Sequence, residues 1–448
     1  MLDQTFSMKN IRRIYDIEER KGNNPAERFF PNVFQKMSEI SVCIKKIKSL
    51  RKKKSGLAKD AYLAAKNALH EKQKELKKQK EELLETNLEE VHETLAAGAH
   101  KFSLKKLTIA GKSAFSVDDS AATFFAVKQV QRNLNRLYKV KQSDRNEIIC
   151  QLRDVLSDSM PKSLIKTDFK SFYESIPTSD LMRKIEKDQL LSMTSKKVIK
   201  KILYEYEKLT GSKYGLPRGV GLSAYLSELY VREFDSFVKS SPDLIYYSRY
   251  VDDIIAIYVP HPDKPSGEKY LSAIDKMAKN LGLQLHPTKT NEVKFEKGKQ
   301  FAFEYLGYKF GVQDGRVTLD LSTNKMEKSK QRLKIAFDLY DKHAKINEKK
   351  ARVLLAKRVR FLTGNARLHN AKRNAYIGIY FSNKFLNSSD GLDALDSYLD
   401  TKKANYVGQA VATMLAKHSF KNGFEKVVYH RFTARQLSQI VSVWQHAA

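Results

Sequence analysis

The stretch Arg249-Tyr250-Val251-Asp252-Asp253-Ile254-Ile255 decides how the rest of the chain is read. Residues 244–250 and 254–259 are β-branched and aromatic runs on either side of Val251-Asp252-Asp253, the pattern of a hairpin. Two adjacent carboxylates between apolar strands are costly unless they sit at an exposed turn or hold a cation. A tight hairpin presents them at its tip, where oxygen ligands suit Mg²⁺. Asp pairs are common in turns, so the pair alone also fits an ordinary solvated hairpin. A second acid changes the balance. Asp168 ends the run Leu164-Ile165-Lys166-Thr167 and precedes Phe169-Lys170-Ser171-Phe172-Tyr173. If the two strands are neighbours, their acids come within about 4 Å, the metal-pair spacing used for in-line phosphoryl transfer.

Working outward, the 448 residues carry 82 Lys and Arg against 51 Asp and Glu, a formal net charge of +31. The excess is uneven: +11 over residues 1–160, +5 over 161–320 and +15 over 321–448. Residues 45–80 alone hold 14 basic and 3 acidic side chains. A chain this basic meets a polyanion, nucleic acid first. Its 42% hydrophobic and 10% aromatic content excludes a disordered chain. No apolar run is long enough to span a membrane. The opening MLDQTFSMKN lacks the layout of a signal peptide, so a cytoplasmic protein is expected. Cys43 and Cys150 are too few for a zinc site, and a disulfide is not expected in a reducing compartment.

Three regions follow from the pattern. Residues 1–99 read as a basic helical extension, with a long helical stretch over 36–96 broken near Ser55-Gly56 and a turn or extended connection at FFPN, residues 29–32. Leu69, Leu76 and Leu83 repeat every seven residues, but the companion seam positions Lys66, Gln73 and Lys80 are polar. That favours a helical hairpin packed on its own protein over a dimeric coiled coil. Residues 100–320 alternate short β-type runs with helices. Strands are expected at 121–127, 164–168 and 301–312, and helices at 179–191 and 266–281. Residues 321–448 read as helical, with breaks near Gly364-Asn365 and 387–391. Asp393, Asp396 and Asp400 lie at helical spacing with Leu392, Leu395 and Leu399 on another face, an amphipathic acidic helix rather than a metal site. The fold class is α+β.

Five motifs in order resemble the palm of a reverse transcriptase. They are Asp168-Phe169-Lys170-Ser171-Phe172-Tyr173-Glu174-Ser175-Ile176, Gly215-Leu216-Pro217-Arg218-Gly219-Val220-Gly221-Leu222-Ser223, Tyr250-Val251-Asp252-Asp253, Leu281-Gly282-Leu283-Gln284-Leu285-His286-Pro287-Thr288-Lys289-Thr290 and Tyr305-Leu306-Gly307-Tyr308. The resemblance implies a right-hand polymerase: fingers and palm in 100–320, an antiparallel sheet with helices, and a helical thumb and C-terminal domain in 321–448. It implies RNA-directed DNA polymerase activity, with Asp168, Asp252 and Asp253 holding two Mg²⁺, for which Mn²⁺ is a possible substitute. Phe169, Tyr173, Arg218, Gly219 and Lys289 would meet the incoming dNTP. Tyr173 would bar a 2′-hydroxyl, although ordinary core packing also explains a ring there, and Lys289 equally fits surface charge. Among Lys128, Arg132, Arg136, Lys139 and Lys141, order and spacing favour Arg136 with Lys128 as triphosphate ligands. Leu306 and Gly307 would form the primer grip.

The second motif departs from the commoner Pro-Gln-Gly of retroviral and intron-encoded relatives, because Arg218 stands where the amide would be. With SAYLSEL after it and YKVKQSDRNEII before the first motif, the chain is similar to bacterial abortive-infection and defence-associated reverse transcriptases. LDQTFS near the start and FLTGNARLHN at 361–370 also resemble the smaller polymerase of the type-3 defence system. That likeness implies antiphage defence, a noncoding RNA as template or scaffold, a DNA product, and a second reverse transcriptase subunit or higher oligomers as partners. A mobile-element enzyme of retron or intron type and a non-catalytic RNA-binding scaffold remain open alternatives. The cations of residues 45–54 are read as a nucleic-acid grip, or else as a solvated helix face.

Overall fold

The computed structural model describes residues 2–56, 58–109, 111–140, 142–259, 268–368 and 375–444. Lys141, the start of the helix expected over 266–281 and the last two residues of FLTGNARLHN lie outside the described residues.

The central sheet has the order β4-β5-β3-β6, built from β3 (Lys162–Asp168), β4 (Leu244–Tyr250), β5 (Asp253–Tyr258) and β6 (Asn291–Phe295). All three pairings are antiparallel. Side chains alternate between faces along a strand, and here both faces are covered. Ile254, Ala256, Tyr258 and Ile165 enter one core with Leu226, Phe234 and Val238 from the helices Gly221–Tyr230 and Arg232–Lys239. Ile255, Ile257 and Leu164 enter another with Ile148, Ile149 and Leu152 of the helix Arg145–Val155. Double coverage is why residues 254–258 are apolar throughout rather than alternating. Asp168 and Asp253 share the parity of the second face and project where the strands run out of apolar cover.

Two hairpins and a helix frame this sheet. Near the N-terminal side, β1 (Leu104–Ile109) pairs with β2 (Lys112–Val117). Past the sheet, β7 (Gln300–Tyr305), β8 (Tyr308–Gln313) and β9 (Arg316–Leu321) form a three-stranded meander. The strand expected over 301–312 is thus two strands, because Leu306-Gly307 turns the chain. Residues 121–127, expected as a strand, are instead the start of the helix Ala121–Tyr138. The apolar run looks strand-like over seven residues. Over eighteen, the buried set Ala122, Phe125, Ala126, Gln129, Val130, Asn133 and Leu134 repeats at helical spacing, and Ser120 caps the first turn by accepting from the Thr123 amide.

The N-terminal helices Met8–Lys21, Pro25–Phe29, Pro31–Lys52 and Lys59–Ala96 cover that helix. FFPN is the kink between two of them, with Pro31 at a first helical position where its missing N–H costs nothing. The last two helices make a hairpin whose tip packs Cys43, Ile47 and Leu76, while Leu84, Leu88 and Val91 join the main core.

The last region is built on the long helix Thr323–Thr363, broken at Asn347, against the helix Asp390–Ala404. Leu392, Leu395 and Leu399 are buried against it, and Asp393 pairs with Lys421 while Asp396 accepts the Phe420 and Lys421 amides. The acids of this helix therefore serve packing and capping. A small sheet of β10 (Asn365–Leu368), β11 (Ala375–Gly378) and β12 (Tyr429–His430), in the order β11-β10-β12, interrupts the expected helical content. No helix among the described residues is long and apolar enough to cross a membrane.

Candidate active site

Asp168 at the end of β3 is the register partner of Asp253 at the start of β5, and Tyr250 pairs with Asp253 from β4. Three acids therefore meet at one end of the sheet, with Asp252 in the turn whose carbonyl accepts the Phe169 amide at 3.2 Å. Asp168 is 3% exposed. One of its oxygens takes the Lys289 ammonium; the other, Oδ1, is buried with no hydrogen-bond partner. Burial, then Asp252 and Asp168, push the Asp253 carboxyl up to about 6. Crowded, partly orphaned carboxylates are the donor set that a divalent cation relieves, so the residues fit Mg²⁺. They are not preassembled as a cage: among the described residues no three His, Cys, Asp or Glu side chains form a closed metal cluster. Lys289 supplies the positive charge instead, held there because the His286 amide donates to the Asp168 carbonyl at 2.8 Å.

The turn carrying Asp252 is strained. Val251 adopts φ 61°, a region that costs a β-branched residue energy. Its carbonyl is held at 2.7 Å by Arg249 Nη1. Arg249 is 6% exposed and spends its remaining donors on Glu228 (3.0 and 2.6 Å) and Asp235 (2.8 and 2.8 Å), while the Tyr247 hydroxyl donates to Asp235 at 2.6 Å. The two carboxylates keep this guanidinium charged despite its burial. All five N–H groups are satisfied, so the network fixes the turn rather than merely sitting beneath it.

Opposite the carboxylates, Tyr173 is half-buried against Phe172, and Arg218 lies over its ring at 6.0 Å with Glu174 at 3.8 Å. The Leu216 amide donates to the Tyr173 carbonyl at 2.7 Å, which wraps the 215–219 loop around this turn. Gly219 has φ 97°, and a Cβ there would lie 2.7 Å from the Phe115 carbonyl oxygen, so only glycine lets β2 approach. The Phe115 amide completes the junction by donating to the Arg218 carbonyl at 2.6 Å.

The Leu306-Gly307 turn, with both residues at positive φ, is tied to the same site. The Tyr305 hydroxyl donates to the Asp253 carbonyl at 3.2 Å. Arg145 grips the Leu306 carbonyl through Nε and Nη2 at 2.9 and 2.6 Å. Beneath Gly307, Lys325 packs over Tyr308 at 4.6 Å, and burial with the nearby Arg145 pushes its ammonium down to about 7.

Residues 121–310 match the family model described as reverse transcriptase (RNA-dependent DNA polymerase). The chain carries a reverse transcriptase domain. Residues 121–310 are thus similar to enzymes of the nucleotidyltransferase class. Among solved structures, apo telomerase from Candida tropicalis is 13% identical over 78% of this chain and 62% of that one, with a TM-score of 0.38. Telomerase from Candida albicans with a fragment of telomeric RNA is 14% identical over 79% and 65%, with a TM-score of 0.34. An RdRp complex is 9% identical over 61% and 25%, with a TM-score of 0.32. This chain spans 62–65% of the length of those two telomerases. No curated protein matches it.

Within the reverse transcriptase domain, Asp168, Asp252, Asp253 and Lys289 come together, Tyr173 joins Arg218, and Leu306-Gly307 joins Asp253 through Tyr305. Two expected nucleotide ligands stand elsewhere. The Phe169 ring is 2% exposed, stacked on Phe172 and edge-on to Phe234, so its side chain is core and only its backbone meets the site. Lys128 neutralises the buried Glu18 at 2.9 Å and covers Phe124, a structural role set by the N-terminal helix. Arg136 is exposed on the last turn of its helix, beside Arg132. The sequence reading missed the β1–β2 hairpin, whose Lys105 and Lys106 are exposed and whose second strand seats on Gly219. Its signal was available: LKKLTI and KSAFSV are two short β-type runs with a glycine, Gly111, before the second. Arg249 and Arg145 were missed because their partners lie far away in sequence.

Two measurements check this geometry. A carboxyl whose folded value is raised adds stability below its unfolded value and loses it as pH rises through about 6. Asp253→Asn is therefore expected to stabilise the metal-free protein at pH 7.5, by at most on the order of 3 kcal/mol, and so to raise its melting temperature. The gain should vanish near pH 4; a destabilised variant at pH 7.5 contradicts the crowding. Arg249→Ala should cost up to about 3–5 kcal/mol in denaturant unfolding, because it leaves two partly buried carboxylates without their cation. Arg249→Lys, which keeps the charge but not the fork, should raise the Mg²⁺ concentration needed for half-maximal activity by about 10–100-fold.

Proposed function

We propose that this chain is an RNA-directed DNA polymerase that uses two Mg²⁺ ions at Asp168, Asp252 and Asp253. The observation that carries the reading is the register pairing of Asp168 with Asp253, which crowds both with Asp252. When bound, the metal pair lowers the pKa of a primer 3′-hydroxyl and neutralises the triphosphate and leaving pyrophosphate.

The chain's own residues do the rest. Tyr173 limits the space beside the sugar and so selects dNTPs. Arg218, over that ring, offers a guanidinium plane to the nucleotide or template in place of a neutral amide. Lys289, which pairs with Asp168 here, would be the cation that turns to the triphosphate were the carboxylates to hold Mg²⁺. The Leu306-Gly307 turn, locked to Asp253 by Tyr305, holds the primer end in line with the attacked phosphorus, which is where orientation supplies most of the rate.

The biological setting we infer is antiphage defence in the cytoplasm, with a noncoding RNA as template or scaffold. A second reverse transcriptase subunit or higher oligomers complete the assembly. The support is the Pro217-Arg218-Gly219 form and the motif neighbourhoods around it, which resemble defence-associated enzymes. The grip on RNA lies outside the near-neutral palm: Lys45, Lys46, Lys48, Arg51, Lys52, Lys53 and Lys54 are all exposed.

The decisive assay is Mg²⁺-dependent dNTP incorporation by the purified full chain with its copurifying RNA. Asp252→Ala should reduce it to background, and undiminished synthesis removes the site assignment. Reversing the charges within residues 45–54 should weaken RNA binding and reduce the salt slope by roughly 0.7–0.9 for each phosphate that is no longer neutralised. Unchanged affinity and slope make that helix a solvated face only.

A further inference from the structure

The small sheet β11-β10-β12 has an inner face packed on the core and an outer face that, among the described residues, is covered at Asn365 and open beyond it. Ala366 on β10 and its partner Ile377 on β11 pack against Phe432, Ile440 and Trp444. The next register pair, Arg367 with Tyr376, points the other way. Tyr429 on β12 pairs with Asn365, two residues before Arg367, and so lies on that same outer face. Tyr376 is 41% exposed and Tyr429 52%. Phe381, from the turn after β11, joins them: it stacks on Tyr376 at 5.0 Å and meets Tyr429 at 6.0 Å, while Tyr376 meets Tyr429 edge-on at 6.0 Å. The Arg367 guanidinium lies over the Tyr376 ring at 5.8 Å.

The segments that supply the strands are basic. Their described residues, 364–368, 375–389 and 426–444, hold five Lys and Arg and no Asp or Glu, with Asp390 and Glu425 just outside. Arg367 stands on the outer face itself. Exposed aromatic rings beside a cation suit a strand of unpaired bases, with rings for the base faces and cations for the phosphates. A duplex, whose bases are already stacked on each other, has no use for the rings.

We propose that the outer face of this sheet, centred on Tyr376, Phe381 and Tyr429, is a stacking platform for single-stranded nucleic acid. It is separate from the carboxylate site and needs neither metal nor dNTP. Its three rings lie within 6.0 Å of one another, a compact cluster on which the outer ring faces can seat a base or two, and base identity is read weakly because every base offers a π-face. Placed on the region that carries the largest share of the +31 charge, it would hold a strand entering or leaving the polymerase.

The test uses the full chain without metal or dNTP, so that loss of polymerase activity and loss of this platform are read separately. Fluorescent oligouridine and oligothymidine of about 12 nucleotides, and a blunt duplex of the same length, are titrated against wild type and variants. Tyr376→Ala and Tyr429→Ala should each weaken single-strand binding roughly 5- to 100-fold, leave duplex binding unchanged, and be rescued by Tyr376→Phe and Tyr429→Phe. The arm that responds, RNA or DNA, names the strand. Wild-type affinity in both Ala variants, or an equal loss on duplex, overturns the proposal. Should either Ala variant melt early, photocrosslinking of 4-thiouridine oligonucleotide to the wild-type chain replaces it. Adducts at Tyr376, Phe381 or Tyr429 support the platform, and adducts confined to other segments overturn it.

Discussion

Antiparallel pairing of β3 with β5 sets Asp168 directly across from Asp253, and much of the site follows from that one register. A slip of one residue would send Asp168 to the opposite face of the sheet and break the site completely. The register is secured by burial on both faces: Ile254, Ile255, Ala256 and Ile257 are each 0% exposed, so no alternative alignment leaves the apolar atoms covered. The same pairing forces two negative charges together with a third in the adjoining turn. Burial first, and then this crowding, raises the Asp253 carboxyl to about 6. Stability is given up there, and the proposed metal site is what it secures.

The neighbouring elements are arranged around that cost. Arg249 holds the strained Val251 carbonyl and is itself held by Glu228 and Asp235, so the turn cannot relax without stranding a buried charge. Tyr305 connects the Leu306-Gly307 turn to the same strand, and Arg145 fixes that turn from the far side. Gly219 admits the β1–β2 hairpin against the Arg218 loop. Each support arrives from a different part of the chain, which makes the site a convergence of four segments on one sheet end.

Local pattern makes much of this molecule legible. The hairpin at 250–253, the strand ending at Asp168, the helical hairpin after residue 31 and the acidic amphipathic helix at 390–404 each depend on periodicity or turn chemistry within about twenty residues. The failures share a cause. Over residues 121–127 alone, a window of seven is too short to separate a buried helix from a strand. The roles of Lys128 and Phe169 are set by Glu18 and Phe234, partners that no local pattern predicts. Arg249 looks like a flanking cation until the structure puts two carboxylates around it. The small C-terminal sheet leaves little trace in the sequence because its strands are two to four residues long and β10 pairs with β12 across more than 60 residues.

Charge and chemistry occupy different places in this molecule. Cations dominate the helical flanks, while residues 161–320, which carry the three clustered acids, are nearly balanced. The central claim is that those acids form a divalent-metal centre which Lys289 neutralises in the metal-free protein. The most direct measurement is a crystal of the full chain grown with Mn²⁺ and an incoming dNTP, read by anomalous scattering. The account predicts anomalous density among Asp168, Asp252 and Asp253, with the Lys289 ammonium moved off Asp168. Lys289 still seated on Asp168, with no anomalous density at the three carboxylates, would contradict it.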